Sequence, residues 1–171
     1  ADEMAAGDAR VRVVHHPRNL GIGRALYTGF RAARGEFTIF IPTDLAMRLE
    51  ELSKYLDAAQ RADVVVGLRS DRHDTPWQRK LIGWVNIGLV RLLYRMPVRQ
   101  FQYICLYRTS FLRRVALEYA DSAFIQAEVL IKARDMGLTL TEVTVNYIPR
   151  TGGAASGARP DFVVKSARDL L

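Results

Sequence analysis

NLGIGRALYTGFRAARGEFTIFIPTD, residues 19–44, is the stretch from which the fold is read. Pro17 and Asn19-Leu20-Gly21 supply turn chemistry, and Ala25, Leu26, Gly29, Phe30 and Ala33 then recur at the spacing of a helix with one apolar face, stopped by Gly35. Residues 36–41 (EFTIFI) form a short apolar run of strand type, ended by Pro42, which has no N–H to give to a ladder. Working outward, residues 11–15 are compact and β-branched, a strand candidate. On the other side, Leu49, Leu52, Tyr55, Leu56 and Ala59 mark an amphipathic helix, and residues 63–68 (DVVVGL) are a third strand of the uninterrupted apolar kind expected in a parallel sheet covered on both faces. Strands and helices alternating at this interval predict an α/β fold.

The second half changes character. A long helix is expected over 76–96, apolar nearly all round (Trp77, Leu81, Trp84, Val85, Leu89, Leu92, Leu93) but interrupted by Arg79, Lys80, Arg91 and Arg95, a pattern suited to a helix lying on a membrane surface. A strand over 102–107, a short helix over 110–117, a helix over 124–136 with Ala127, Leu130, Ile131 and Ala133 inward, and a strand over 138–147 follow. Residues 150–159 (RTGGAASGAR) are small and glycine-rich, and a last helix is expected over 161–171. The first ten residues read as the end of a helix and a turn with no apolar strand ahead of them, so residues 1–171 are expected to be a single domain incomplete at its N-terminus.

Composition narrows the function classes. The chain has 171 residues, 49% hydrophobic and 25% charged, enough apolar material for a core and room for one domain or part of a larger one. One cysteine, Cys105, excludes an internal disulfide framework and points to a reducing compartment; with only 3 histidines a Cys/His zinc site is out of reach. The longest uncharged run, residues 81–90, is half the roughly 20 residues of a spanning helix, and no secretory signal opens the sequence.

The net charge of +7 is concentrated: residues 1–68 are neutral, residues 69–114 carry ten basic side chains against Asp71 and Asp74, and residues 115–171 have a net charge of −1. Arginine accounts for 21 of the 25 basic residues, and its planar fork suits phosphate, so a phosphate-bearing partner is expected. A solvated basic face accounts for the same composition equally well. A nucleic-acid partner is not expected, because neither a recognition motif nor interleaved aromatic residues accompany the charge.

Asp44 is the sharpest single residue. It lies just past a buried strand, where open α/β sheets bind ligands, and a Mg²⁺ or Mn²⁺ ion on a diphosphate needs only one or two carboxylates besides the phosphates. Helix capping is the competing reading. Asn19-Leu20-Gly21-Ile22-Gly23 opens a helix and could offer N–H groups to phosphate, but Leu26 stands where a dinucleotide fingerprint has its third glycine, and a plain turn is the better reading. Glu128, on an otherwise apolar helix, belongs either to an exposed face or to a site, exposure being the commoner case. His15 and His16, adjacent on a strand, would point to opposite faces and cannot chelate one ion together.

Taken together, segments 15–47, 63–71 (DVVVGLRSD), 79–89 (RKLIGWVNIGL), 106–112 (LYRTSFL), 124–137 (FIQAEVLIKARDMG) and 142–159 resemble the polyprenyl-phosphate glycosyltransferases related to dolichyl-phosphate mannosyltransferase, inverting family 2 enzymes. The resemblance implies a GT-A fold, a three-layer sandwich around a mainly parallel sheet. It makes Asp44 the second acid of a D-x-D motif and the ligand of Mg²⁺ or Mn²⁺. It sets Arg69, Arg79 and Arg150 on the donor diphosphate or the lipid phosphate, Ser156 in a loop closing over the acceptor, and Glu128 at the acceptor side as a catalytic acid. The helix after the N-x-G turn would belong to the nucleotide-sugar half. The implied partners are a nucleotide-diphosphate sugar, a polyprenyl phosphate, the membrane surface and a homo-oligomeric copy, at the cytoplasmic face of the membrane.

The sequence departs from the family pattern in three places. The opening strands with their P-x-Y-N-E and D-D-G-S turns are absent, Pro42 replaces the first acid of D-x-D, and Arg99, Gln100, Tyr103 and Ile104 stand where the family has its V-x-D-x-x-x-G-F segment. The alternative reading is a catalytically silent nucleotide-sugar-binding or regulatory homologue of the same fold.

Overall fold

In a computed structural model of the chain, residues 1–43, 47–70, 77–101, 103–122, 124–146 and 148 are described, except for the side chains of 78–82 and 86. The elements, in chain order, are α1 (Asp2–Gly7), α2 (Gly21–Ala32), β1 (Phe37–Ile39), a 3₁₀ turn (Leu49–Glu51), α3 (Leu52–Ala59), β2 (Val64–Arg69), α4 (Trp77–Tyr94), β3 (Cys105–Arg108), α5 (Thr109–Arg114), α6 (Ile125–Asp135) and β4 (Leu140–Val145). The expected helices over 76–96, 110–117 and 124–136 are all present, their ends shifted by one to three residues. The expected final helix over 161–171 and the glycine-rich segment lie outside the described residues.

Side-chain alternation along the strands builds a core on each face of the sheet. Val64 and Val66 of β2, with Cys105 and Tyr107 of β3, meet Leu26 and Phe30 of α2, Phe111 and Leu112 of α5, and Val129 and Leu130 of α6. Val65, Leu106 and Val145 face the other way, onto Tyr55 and Ala59 of α3 and onto Met47. Helices thus cover both faces, as a three-layer sandwich requires. Gly67 shows how tight the second face is: a Cβ there would lie 2.0 Å from the Tyr55 hydroxyl oxygen and 2.8 Å from the Ile104 carbonyl oxygen. Tyr55 is fully buried and donates its hydroxyl hydrogen to that same carbonyl at 3.2 Å.

The sheet order is β1-β3-β2-β4. β3 runs antiparallel to both β1 and β2, with Thr38 opposite Tyr107 and Val65 opposite Leu106, while β2 and β4 are parallel. The expected mainly parallel sheet is therefore a mixed one: three strands share a direction, but two of the three pairings are antiparallel. The cause is topological. A crossover helix returns the chain to the starting end of the sheet, whereas here the chain leaves β2 at its carboxyl end and enters β3 at that same end, Val66 lying opposite Cys105. The whole excursion through α4 departs from and returns to one edge.

Residues 11–15 are not a strand. Among the described residues none pairs with them in a ladder; the Val11 N–H donates to the Asp8 carbonyl, and Arg12 reaches the Ala32 carbonyl at 2.6 Å. β1 is shorter than the expected 36–41 because its partner β3 offers only residues 106–108 opposite it. At the amino ends of β2 and β4 the charges are satisfied internally: Asp63 accepts from Arg108 Nε at 2.8 Å and from the Thr139 hydroxyl at 2.6 Å. Those hydrogen bonds, Thr139's first, hold the Asp63 carboxyl below its ordinary pKa.

Candidate functional site

Because β1, β2 and β4 share a direction, their carboxyl ends lie on one side of the sheet, and this is the edge at which ligands bind in open α/β sheets. β1 hands the chain on through Pro42 and Thr43 toward Asp44; β2 ends at Arg69; β4 ends at Val145 and continues toward Arg150. Arg69 is opposite Val145, and the Ser70 N–H donates to the Val145 carbonyl at 3.1 Å. The loop after α4 is tied to this edge as well: Gln100 Oε1 accepts the Arg69 N–H at 3.3 Å, and Arg99 Nε donates to Glu142 Oε2 at 2.8 Å.

A polar cluster that sequence reasoning missed completes the edge. Glu51 is 8% exposed and accepts from Lys54 Nζ at 2.6 Å and from Asn146 Nδ2 at 2.9 Å. Lys54 foremost, and then Asn146, hold the Glu51 carboxyl below its ordinary pKa against the opposing effect of burial. Glu51 and Asn146 are 95 residues apart, and nothing in the local pattern of either signals the other.

Of the residues singled out from sequence, Arg69 is placed at the shared edge. Arg79 lies on α4, its side chain outside the described set; Asp44, Arg150 and Ser156 lie outside the described residues altogether. Among the described residues no group of three or more His, Cys, Asp or Glu is placed to hold a metal ion.

One reading needs correction, the expected exposure of Glu128. Glu128 is buried, 3% exposed, with Oε1 accepting the Glu118 N–H at 2.6 Å and Oε2 the Tyr119 N–H at 3.0 Å, and Lys132 Nζ lies 3.0 Å from Oε1. Both oxygens of this carboxylate hold the backbone of a loop. The Asn19–Gly23 segment is the plain turn expected, closing on itself as Asn19 Oδ1 takes the Gly21 N–H at 2.9 Å. His15 and His16 have separate partners, Asp2 at 2.7 Å and Thr28 at 2.9 Å, in keeping with their inability to chelate one ion together. They line an open groove of about 580 Å³ between residues 12–21 and the small-residue face of α2.

α4 turns much of its apolar surface outward. Trp77, Trp84, Val85, Leu89, Leu92 and Leu93 are exposed, with exposed Arg91 and Arg95 beside them, while Val90 is buried and Ile87 half-buried against the core. Among the described residues no helix is long and apolar enough to cross a membrane.

Comparison with known proteins bears on this architecture. The sequence pattern of glycosyl transferase family 2 matches residues 1–119. Similar proteins include Glycosyltransferase AglD of Haloferax volcanii, 32% identical over all of this chain and 27% of that protein, and the Undecaprenyl-phosphate mannosyltransferase of Micrococcus luteus, 27% identical over 90% of this chain and 67% of its own length. The Polyprenol monophosphomannose synthase of Mycolicibacterium smegmatis is 28% identical over 91% of this chain and 63% of that protein. The chain thus spans about a quarter to two thirds of the length of these relatives. With helices on both faces of a mixed four-stranded sheet, a matching family pattern and relatives of the same kind, the chain belongs to glycosyl transferase family 2 and has a GT-A fold.

Proposed function

We propose that this chain forms part of the catalytic domain of an inverting glycosyltransferase that moves a sugar from a nucleotide-diphosphate donor to a polyprenyl phosphate at the cytoplasmic face of a membrane. The observation that carries this reading is the excursion between β2 and β3. It leaves and returns at the carboxyl edge and bears α4, whose Trp77, Trp84, Leu89, Leu92 and Leu93 are exposed beside arginines. A lipid-facing helix attached to a phosphate-binding edge is what transfer between a soluble donor and a lipid acceptor demands. The relatives named for undecaprenyl phosphate and polyprenol support the same acceptor class.

In this reading Arg69 and Arg150 hold the donor diphosphate, and Arg79, on the helix leaving the edge, meets the lipid phosphate. Arginine serves here because its fork pairs two phosphate oxygens at once and stays charged as the leaving group develops charge. Ser156 contributes a hydroxyl from the chain beyond β4. Asp44 would hold Mg²⁺ or Mn²⁺ with the diphosphate oxygens. When bound, that ion supplies positive charge to the departing diphosphate. A phosphate oxygen of the acceptor attacks the anomeric carbon from the face opposite the leaving diphosphate, which inverts the configuration. A phosphate monoester is largely dianionic at neutral pH, so no strong general base is needed, and the commitment of Glu128 to loop N–H groups is compatible with this chemistry.

The test is transfer by the full-length protein from labelled nucleotide sugars to polyprenyl phosphate in vesicles with Mg²⁺ or Mn²⁺. The expected product is a polyprenyl-phosphate sugar of inverted anomeric configuration. Nucleotide-sugar affinity without turnover for any donor would instead establish the silent homologue.

A further inference from the structure

Residues 115–122, which follow α5, have little regular structure of their own, so their shape is set by what holds their backbone. Glu128 does this from α6. Its two oxygens take the N–H groups of Glu118 and Tyr119, and Lys132 closes the arrangement by pairing with Glu128 at 3.0 Å and Glu118 at 2.8 Å. On the opposite side, the same segment is the surface against which α2 begins. A Cβ on Gly23 would lie 2.4 Å from the Ala120 carbonyl oxygen and 2.6 Å from that of Ser122, so helix and loop meet backbone to backbone. Arg24 then grips Asp121 with two hydrogen bonds, at 2.5 and 3.0 Å. No compressible side chain separates the two backbones, and a shift of the loop must move the first turn of α2 or open the contact.

The topology says where that turn lies. α2 leads into the amino end of β1, and α6 into the amino end of β4, so both helices begin toward the carboxyl edge of the sheet. We propose that Glu128 is a positioning residue that shapes the 118–122 loop and thereby sets the first turn of α2 at the donor edge. This rests on the transferase reading above, in which that edge binds the nucleotide sugar. Glu128 does not touch the reacting atoms; it joins the two helices that open onto them. The carboxylate is suited to this because it accepts two N–H groups at once, whereas an amide in its place would present an NH₂ to one of them.

The experiment compares the full-length wild type with Glu128→Gln, Gly23→Ala and the double variant by amide hydrogen exchange without ligand and by steady-state kinetics. In Glu128→Gln, exchange rises about tenfold or more, the loss of one charge-assisted hydrogen bond, in peptides covering 116–122 and also 21–28, while β2 and β4 stay protected. The donor KM rises several-fold in both single variants, kcat and the lipid KM stay within about twofold, and the double variant falls short of the product of the singles, as expected for residues acting through one contact. Faster exchange confined to 116–122 with an unchanged donor KM overturns the proposal. A fall in kcat with a displaced pH profile overturns it too, by making Glu128 a catalytic residue. Should Glu128→Gln fail to fold, Gly23→Ala decides, and an unaltered donor KM there is refutation. A wild type that transfers no sugar would refute the transferase reading alone, since the exchange data still report whether the loop and α2 move together.

Discussion

Replacing Trp84 and Leu92 by glutamate should release α4 from lipid without disturbing the fold. Full burial of one large apolar side chain is worth about 1.5–3 kcal/mol. Trp84 and Leu92 are 72% and 76% exposed, so each retains about three quarters of that gain for insertion into a bilayer interface. The pair contributes roughly 2–4 kcal/mol, which at about 1.4 kcal/mol per factor of ten is a loss of at least about 30-fold in partitioning, before the repulsion between the new carboxylates and anionic headgroups is added. The assay is built into the sequence: both of its tryptophans, Trp77 and Trp84, lie on α4 and face outward. In the wild type their emission should shift to the blue on adding anionic vesicles and be quenched by lipids brominated on the acyl chains. In the double variant the remaining Trp77 should stay solvent-like at the same lipid concentration, with an unchanged circular dichroism spectrum because both replaced side chains are exposed. Wild-type tryptophans that neither shift nor quench at saturating lipid, or a variant that binds as tightly as the wild type, would refute the placement of α4 on the membrane.

Gly67→Ala should destabilise the fold by about 1–3 kcal/mol in chemical denaturation, because the added methyl group collides with Tyr55 and Ile104, and Tyr55→Phe in the same chain should restore part of the loss. Glu51 has a folded-state pKa below its ordinary value of 4.5, so its stabilising contribution is present above that value and lost as the pH falls through the folded pKa; Glu51→Gln should abolish that part of the acid-side loss of stability, and identical denaturation profiles from pH 5 to about pH 2 for the two proteins would contradict the assignment. Asp44→Ala should abolish metal-dependent nucleotide-sugar binding in titration calorimetry while leaving the melting temperature intact; unaltered affinity removes Asp44 from the site.

Much of this protein was legible along the chain because helices and strands leave their period in the order of apolar residues. Leu26 and Phe30 fall one helical turn apart, and both are buried; the run Val64-Val65-Val66 reads as a two-faced strand and is one. Strand 11–15 was misread for a complementary reason: its β-branched composition suits a ladder, but a ladder needs a neighbour, and none of the described residues supplies one. Site residues were less legible than the fold. Arg69 was named through the resemblance to a family, and the structure places it at the end of β2. Glu51 and Asn146 gave no local signal, since each is an ordinary polar residue until the sheet brings them within 2.9 Å.

What the amino-acid order determined by itself was the succession of elements, the basic middle third and the amphipathic composition of α4, because each depends on residues close together in the chain. Only the tertiary structure decided that β3 runs against its neighbours, that Glu128 is buried on the N–H groups of a loop, and that Trp77, Trp84, Leu92 and Leu93 of α4 are exposed. Backbone N–H and C=O groups are the same in every strand and pair in either direction, and a carboxylate is equally at home in water or on two amide donors. Which of these occurs is settled by partners from distant parts of the chain, and local sequence does not name them.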